Sequence, residues 1–151
     1  IVGKSEQVIL TNMCMVYKGD DILGMDRKST NWPGITFPGG HIEKKESFVQ
    51  SVIREVYEET GLTIENPKLC GSKQFQTNDD ERYVVLFYKT DQFSGKLKSS
   101  DEGEVFWIKK TDLHKYDLAN DFEDMFKVFD SDHLTEFYYD REKSDWKVNL
   151  Y

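Results

Sequence analysis

Cysteine is scarce in this sequence, and long hydrophobic runs are missing. The two cysteines, Cys14 and Cys70, stand in strand-like apolar surroundings without metal-ligand spacing. We therefore expect buried thiols in a reducing cytosol, with a disulfide as the alternative. No apolar run approaches the length of a membrane span, and no signal-peptide pattern is recognised. These absences favour a soluble, cytoplasmic protein without a membrane partner.

Positive charge is also scarce, because 20 lysine and arginine residues face 28 aspartate and glutamate residues, for a formal net charge of −8. Such a balance disfavours a nonspecific nucleic-acid coat or an anionic membrane surface as partner. Any phosphate-containing ligand would need positive charge supplied locally. The sequence leaves open whether the chain is a monomer or a homodimer.

The length and composition indicate one folded unit. A chain of 151 residues that is 38% hydrophobic and 14% aromatic can bury a single core. No internal repeat or low-complexity tract divides it. We expect one domain that covers residues 1–151.

Short apolar and β-branched runs predict strands along the chain. Val8 to Tyr17, the turn KGDD and Ile22 to Met25 predict a hairpin. A third strand at Ile35 to Phe37 ends at Pro38-Gly39-Gly40, which cannot continue a ladder. The remaining strands are expected at Lys73 to Gln76, Arg82 to Thr90, Val105 to Ile108 and, after an exposed DREKSD turn, through Trp146, Val148 and Leu150.

Two segments predict amphipathic helices. Ser47 and Gln50 have the spacing of a capping box, Gly61 supplies a C-terminal stop, and the apolar stripe between them consists of Val49, Val52, Ile53 and Val56. The second helix is marked by Phe122, Met125, Phe126 and Phe129. Strands before, between and after two helices predict a mixed α+β sheet sandwich.

The first predicted helix places three carboxylates on one flank. Glu55, Glu58 and Glu59 span about 100° of its surface. No lysine or arginine follows any of them at i+4, and the last two lie near the helix C-terminus, where the macrodipole disfavours anions. Because a hard divalent cation takes oxygen ligands, a bound Mg²⁺ would resolve this repulsion. A solvated acidic face is the alternative.

The spacing around these glutamates is characteristic. From Gly40 the chain reads GHIEKKESFVQSVIREVYEETGL: glycine, five residues, Glu46, seven residues, Arg54-Glu55, an apolar residue, one residue, Glu58-Glu59, one residue, Gly61 and the apolar Leu62. This segment, Gly40 to Leu62, resembles a complete Nudix box. The resemblance implies a Nudix-type α/β/α sandwich with a mixed sheet and two main helices.

The resemblance also implies metal-assisted hydrolysis of a nucleoside diphosphate linked to another group. The three helix glutamates would bind Mg²⁺, for which Mn²⁺ can substitute, and Gly39 would offer a backbone carbonyl. Glu46 would pair with Arg54 in a two-bond fork that braces the loop against the helix. Glycine at positions 39 and 40 permits unusual backbone angles, and we expect these angles to bring the Gly39 carbonyl to the ion.

Other positions resemble the MutT-type branch of the family. In that branch a glutamate from a later loop reaches the metal, and the loop SGKLKSSDEGE offers Glu102, with Glu104 as the alternate. A base-reading asparagine matches Asn120, although Asn120 followed by Glu123 is also an ordinary helix N-cap. The remaining substrate-binding candidates are Phe37 as a pocket wall or core residue, and Arg27, Lys28 and Arg82 as phosphate contacts or surface charges.

The resemblance therefore favours removal of pyrophosphate from a nucleoside triphosphate, including oxidised ones such as 8-oxo-dGTP. Hydrolysis of an RNA 5′ end is an alternative, as is hydrolysis of ADP-ribose, although Asn78 stands in the region where ADP-ribose hydrolases tend to carry a proline. A nucleotide-sensing module without catalysis is the alternative outside the enzymes, but the box retains every carboxylate. His41 and His114 lack any partner spacing for a triad or zinc site.

Overall fold

The computed structural model describes residues 3–141 and 146–151. Two helices, α1 (Phe48–Thr60) and α2 (Phe122–Phe129), and a 3-10 helix (Lys110–Lys115) occur in these ranges. The strands are β1 (Val8–Lys18), β2 (Asp21–Arg27), β3 (Gly34–Thr36), β4 (Leu62–Glu65), β5 (Lys68–Gln76), β6 (Arg82–Thr90), β7 (Gln92–Gly95), β8 (Gly103–Lys109), β9 (Glu136–Asp140) and β10 (Lys147–Leu150).

Eight of these strands form one mixed sheet. Its order is β10-β9-β5-β6-β1-β2-β3, and β8 also pairs with β2. β1 runs parallel to β6, from the pair Val8 and Arg82 to the pair Val16 and Thr90, and β5 runs parallel to β9. The other pairs are antiparallel, as is the small separate sheet of β4 and β7. The sheet is therefore mixed, as predicted.

Strand β1 separates two hydrophobic cores. Met13 and Met15 face the core that contains α2, whereas Cys14 and Val16 face the core that contains α1. Because successive side chains of a strand point to opposite faces of the sheet, the two helices lie on opposite sides. This arrangement confirms the predicted α+β fold with two main helices around a mixed sheet.

Helix α1 begins and ends where its caps predict. The Ser47 hydroxyl accepts the amide hydrogen of Gln50 at 2.9 Å, and Gly61 adopts a left-handed φ of 78° while its amide donates to the Tyr57 carbonyl. The predicted apolar stripe is wrong at Val49, which is 43% exposed. Glu59 is buried together with Val52 and Val56, so the buried face of α1 includes a carboxylate.

The other predicted elements are largely present. The first hairpin, the third strand, the second helix and the last strand are confirmed, and the predicted strand Arg82 to Thr90 matches β6 at both ends. The prediction missed β4, β7 and β9. Within the DREKSD turn, residues 142–145 lie outside the described residues, and Arg141 is not simply exposed, because its guanidinium donates to the Gln76 carbonyl and lies 4.1 Å from the Trp146 ring.

The two cysteines lie close to the centre of the sheet. Cys14 is fully buried, Cys70 is half-buried, and both are free thiols, as predicted. Burial raises the pKa of both, to about 11 for Cys70. Across the described ranges, no helix combines the length and the apolar character that a membrane span requires.

Candidate active site

The Pro-Gly-Gly loop is held along β1 by backbone hydrogen bonds. The Cys14 amide donates to the Pro38 carbonyl at 2.8 Å, and the Asn12 amide donates to the Gly40 carbonyl at 2.9 Å. The buried Asn12 side chain accepts the Gly40 amide through Oδ1 and donates through Nδ2 to the Ser51 hydroxyl of α1 at 2.9 Å. A single asparagine therefore fixes the loop and the helix relative to each other.

Close packing explains both glycines of this loop. A Cβ at Gly39 would lie 2.1 Å from the Asn12 carbonyl oxygen, and a Cβ at Gly40 would lie 2.4 Å from the Glu55 carboxyl carbon. Neither residue is among the glycines with positive φ. The expectation that they supply unusual backbone angles is wrong, and the requirement is space for β1 and for the Glu55 carboxylate.

The predicted fork between Glu46 and Arg54 is present. Arg54 Nε lies 2.7 Å from Glu46 Oε2, Nη2 lies 3.0 Å from Oε1, and Nη2 also donates to the His41 carbonyl at 3.1 Å. These hydrogen bonds lower the pKa of Glu46. The fork thus ties α1 to the loop that precedes it.

Arg54 also contacts two of the three helix glutamates. Its Nη1 donates to Glu55 Oε1 at 3.0 Å and to Glu58 Oε2 at 3.2 Å. Arg54 precedes Glu58 by one helical turn, so the relevant cation lies before the glutamate and not at the i+4 position after it. The guanidinium therefore already relieves part of the repulsion on this flank.

The three glutamates differ in their exposure. The Glu58 side chain is 55% exposed, the Glu55 side chain is 14% exposed, and Glu59 is only 5% exposed. Glu59 Oε2 is buried without a hydrogen-bond partner in the described part of the chain. Burial, and then the charge of Glu55, raise the pKa of Glu59 to about 9. A buried oxygen in this condition can take a partner from outside the chain, such as a water or a cation.

A cleft of about 640 Å³ opens beside these groups. One group of lining residues, the carboxylate wall, consists of Gly39, Gly40, Glu55, Glu59 and Glu102. A second group, the aromatic wall, consists of Trp32, Lys73, Phe75, Asn120 and Tyr139. The cleft thus brings acidic groups and flat apolar rings into one space, which is typical of small-molecule sites.

The predicted metal ligands are only partly assembled. Glu102 joins Glu55 and Glu59 in the cleft, and its charge contributes to the raised pKa of Glu59. Glu58 and the alternate Glu104 do not line the cleft. Within residues 3–141 and 146–151, no three acidic, histidine or cysteine side chains converge closely enough to hold an ion as they stand.

The chemical types of the groups in the cleft nevertheless suit a divalent cation. The unpaired Glu59 oxygen lies near Glu55, and the Gly39 backbone lies close enough to Glu59 to lower its pKa in part. Carboxylate and carbonyl oxygens are the ligands that hard cations take. Glu55, Glu59 and Glu102 are therefore the carboxylates that could hold Mg²⁺ in this cleft.

Phe37 and Arg27 both reach the cleft but differ in surroundings. Phe37 is buried against Phe122 and Phe129 with ring centroids 4.8 and 5.0 Å apart, so it packs in the core and also lines the cleft. Arg27 places its guanidinium 5.5 Å from the Trp32 ring, and its buried Nε has no hydrogen-bond partner in the described ranges. Arg27 remains available for a ligand oxygen.

Asn120 does not cap the second helix. α2 begins at Phe122, and the residue before it, Asp121, is in a left-handed conformation with φ of 64°. The N-cap alternative for Asn120 is therefore wrong. Asn120 is exposed to the cleft, and its carbonyl accepts the indole N–H of Trp32 at 3.0 Å.

Two other basic candidates lie away from the cleft lining. The Arg82 side chain binds Glu6 and donates to Gln74 Oε1 at 2.9 Å, in a separate depression. Lys28 donates its amide to the Glu102 carbonyl at 3.2 Å and so helps to position that loop. The structure does not bring either side chain to the carboxylate wall.

Sequence reasoning missed Asn12 and most of the aromatic wall. Asn12 could have been noticed as a polar residue within the apolar run VILTNMCMVY. Trp32 lies in a loop without periodicity, and Lys73 was assigned to a strand without any reason to expect its burial. These residues come together only through the order of the strands.

Known proteins share this fold. The family model described as NUDIX domain matches residues 10–130. The chain is 32% identical to the uncharacterised Nudix hydrolase YvcI of Bacillus subtilis over 111 residues. The aligned segment covers 70% of this chain and 69% of that protein. The chain belongs to the Nudix family, whose members include hydrolases.

Further relatives differ in their named substrates. The oxidized purine nucleoside triphosphate hydrolase of Danio rerio is 29% identical over 66% of this chain and 65% of its own length. The ADP-ribose pyrophosphatase of Methanocaldococcus jannaschii is 31% identical over 76% of this chain and 69% of its own length. Among solved structures, the mutator MutT protein of Bacillus halodurans has a TM-score of 0.75 at 28% identity, over 94% of this chain and 97% of that one.

Proposed function

We propose that this protein hydrolyses a nucleoside triphosphate to a nucleoside monophosphate and pyrophosphate, and that oxidised purine triphosphates such as 8-oxo-dGTP are its preferred substrates. The observation that supports this proposal is the pairing of a carboxylate wall and an aromatic wall in one cleft. The first suits a cation that carries phosphates, and the second suits a planar base. The MutT-like overall structure agrees with it.

In this proposal the chain positions the substrate and the metal. Glu55, Glu59 and Glu102 would hold the cation, with the Gly39 carbonyl as a further ligand. Bound Mg²⁺ would neutralise charge on the phosphates and lower the pKa of a coordinated water. Water adds to phosphorus, one phosphoanhydride bond breaks, and a proton is released. The Glu46–Arg54 fork keeps the loop and the helix carboxylates in register throughout.

A nucleotide panel with Mg²⁺ tests this proposal. The substrates are dGTP, 8-oxo-dGTP, GTP, a pyrimidine triphosphate, ADP-ribose and triphosphorylated RNA, each with Mg²⁺, with Mn²⁺ and with a chelator. We expect metal-dependent release of pyrophosphate, fastest with the oxidised purine and abolished by the chelator. Faster turnover of ADP-ribose or of the RNA would assign the chain to one of those activities instead.

The same nucleotide panel also tests three alternative functions. The ADP-ribose pyrophosphatase relative supports ADP-ribose as a second candidate, because it matches over three quarters of this chain. Hydrolysis of an RNA 5′ end is less consistent with the net charge of −8. Binding of nucleotides without any turnover would identify a nucleotide-sensing module.

Asn120→Asp is expected to separate base recognition from folding. Asn120 caps no helix, so the variant should keep its melting temperature. The carboxylate loses the two amide donors, and an unpaired polar group against a purine edge reduces kcat/KM strongly. We expect the largest loss with 8-oxo-dGTP, a smaller loss with dGTP and little change for a pyrimidine triphosphate. Steady-state kinetics on the three substrates, with melting curves, measure these effects.

Asn66→Asp is the matched control for this substitution. Asn66 is exposed, lies outside the cleft and undergoes the same change of charge. It should leave all three kcat/KM values unchanged. If Asn120→Asp lowers kcat/KM equally for all three substrates, or does not lower it at all, Asn120 does not recognise the base.

A further inference from the structure

Lys73 of β5 is a buried cation in the aromatic wall of the cleft. It is 9% exposed, and none of the ion pairs in the described ranges includes it. Its ammonium nitrogen instead lies between four rings, with distances to the ring centroids of 5.4 Å for Trp32, 5.9 Å for Phe75, 5.2 Å for Phe137 and 5.0 Å for Tyr139.

This environment leaves the ammonium group short of hydrogen-bond acceptors. Lysine is almost never fully buried unless it is paired, because an unpaired buried charge is costly. The ring faces attract the cation but accept no conventional hydrogen bond. Burial lowers the pKa of Lys73 to about 8, although the charge of Asp121 acts in the opposite direction. Lys73 lines the cleft, and within the described ranges its nitrogen is not among the buried atoms without a partner, so water in the free protein, or a ligand that replaces it, can supply the acceptors.

The neighbours of Lys73 limit what that ligand group can be. Tyr139 donates its hydroxyl hydrogen to Asp121, whose carboxylate charge reaches Lys73. A second anion, such as a phosphate, would be repelled by this carboxylate. Flat rings on several sides, by contrast, suit a stacked heterocycle. The ligand group that fits is a neutral acceptor on the edge of a base.

An ammonium group can only donate hydrogen bonds. A ring carbonyl oxygen, such as the 6-oxygen of guanine, 8-oxoguanine or hypoxanthine, accepts from it. The 6-amino group of adenine would face it with another donor and leave both groups unsatisfied. Sites built around a hydrogen-bonding group reject ligands that cannot complete the bond.

We propose that Lys73 is a specificity-determining residue, which donates a hydrogen bond to a ring carbonyl oxygen of the base and so selects 6-oxopurine over 6-aminopurine nucleotides. The inference rests on the proposed nucleotide hydrolysis and adds the base class that the cleft accepts. It concerns Lys73 alone and is independent of the role of Asn120. Lys73 acts on substrate choice and takes no part in bond breaking.

ITP and ATP provide the test, because both lack the 2-amino group and differ only at position 6 and its adjacent ring nitrogen. The measurement is kcat/KM for each nucleotide with wild-type protein and with Lys73→Met, which removes the charge and nearly preserves the volume. Wild-type protein should prefer ITP, and the ratio of the two values should fall by about 10- to 100-fold in the variant, the range of one charged hydrogen bond. The melting temperature should change little, because the substitution removes both the cost of burying the Lys73 charge and its attraction to Asp121.

Lys89→Met is the matched control. Lys89 is half-buried on the neighbouring strand β6, donates to the Phe129 carbonyl at 3.1 Å and does not line the cleft. This variant should lose stability and keep the wild-type ratio of ITP to ATP.

Three outcomes would overturn the inference. An unchanged ratio in Lys73→Met would show that Lys73 does not read position 6. Equal losses with ITP and ATP would assign it to a contact that the two nucleotides share, such as their phosphates. Wild-type protein that hydrolyses 8-oxo-dGTP but does not prefer ITP to ATP would refute the inference alone, whereas wild-type protein that hydrolyses no nucleoside triphosphate would refute the proposed function itself.

Discussion

Glu59→Gln is expected to lower kcat/KM for the nucleotide substrate by about 100- to 1000-fold, the range for loss of one electrostatic group in an active site. The substitution removes the buried carboxylate that has an unpaired oxygen in the described structure. The same change should raise the melting temperature of the metal-free protein at neutral pH. Burial raises the pKa of Glu59 to about 9, so the folded protein must protonate a carboxyl group that is ionised in the unfolded chain, and a neutral amide avoids this cost. Kinetics and melting curves with and without Mg²⁺ measure the two effects.

Glu58→Gln and Glu123→Gln make this prediction specific. Glu58 is half exposed and bonded to Arg54, so Glu58→Gln should not raise the melting temperature. A loss of turnover as large as that of Glu59→Gln would place Glu58 among the metal ligands, as the Nudix box implies. Glu123 is an exposed residue of α2 outside the cleft and should affect neither property. A Glu59→Gln protein with wild-type turnover at low Mg²⁺ would remove Glu59 from the proposed metal site.

Arg54→Ala should reduce both the stability of the protein and the rate. Arg54 donates two hydrogen bonds to Glu46 and contacts Glu55, Glu58 and the His41 carbonyl. Its loss frees the loop before α1 and leaves three carboxylates without their cation. Positioning residues around a metal site typically contribute about 10- to 100-fold to activity. A lower melting temperature together with a drop of this size in kcat is the expected result.

Arg54→Lys and Lys127→Ala are the controls for the fork. Lysine keeps the charge but cannot form two parallel hydrogen bonds, so Arg54→Lys should recover only part of the activity. Lys127 forms an exposed ion pair with Asp124 on α2, and its removal should have little effect. Effects of Arg54→Ala no larger than those of Lys127→Ala would mean that the fork does not support the site.

The elements that the sequence predicted well are those with strong local signals. The cap at Ser47, the stop at Gly61 and the dense apolar run of β6 each depend on residues close in the chain. The missed strands β4 and β7 have four residues each, too few to show a clear period, although Leu62 and Ile64 do alternate. The missed strand β9 follows the second helix closely and has only five residues, although Phe137 and Tyr139 alternate in it.

The site divides in the same way. The carboxylates of α1 and the Glu46–Arg54 fork follow from spacing along one helix and its adjoining loop. The burial of Lys73 cannot be read locally, because it depends on rings from the loop after β2 and from β9, which the order of the strands brings beside β5. Arg82 looked as suitable as Arg27 in the sequence, and only the fold directs Arg82 to Glu6 instead of the cleft.

The two walls of the cleft are built on separate elements. The carboxylate wall comes from the loop after β3, from α1 and from the loop before β8. The aromatic wall comes from the loop after β2, from strands β5 and β9, and from Asn120, which precedes α2. Natural selection can therefore exchange residues of one wall while the other keeps its geometry. Such a division allows a lineage to acquire a new substrate by point mutation and to retain its reaction.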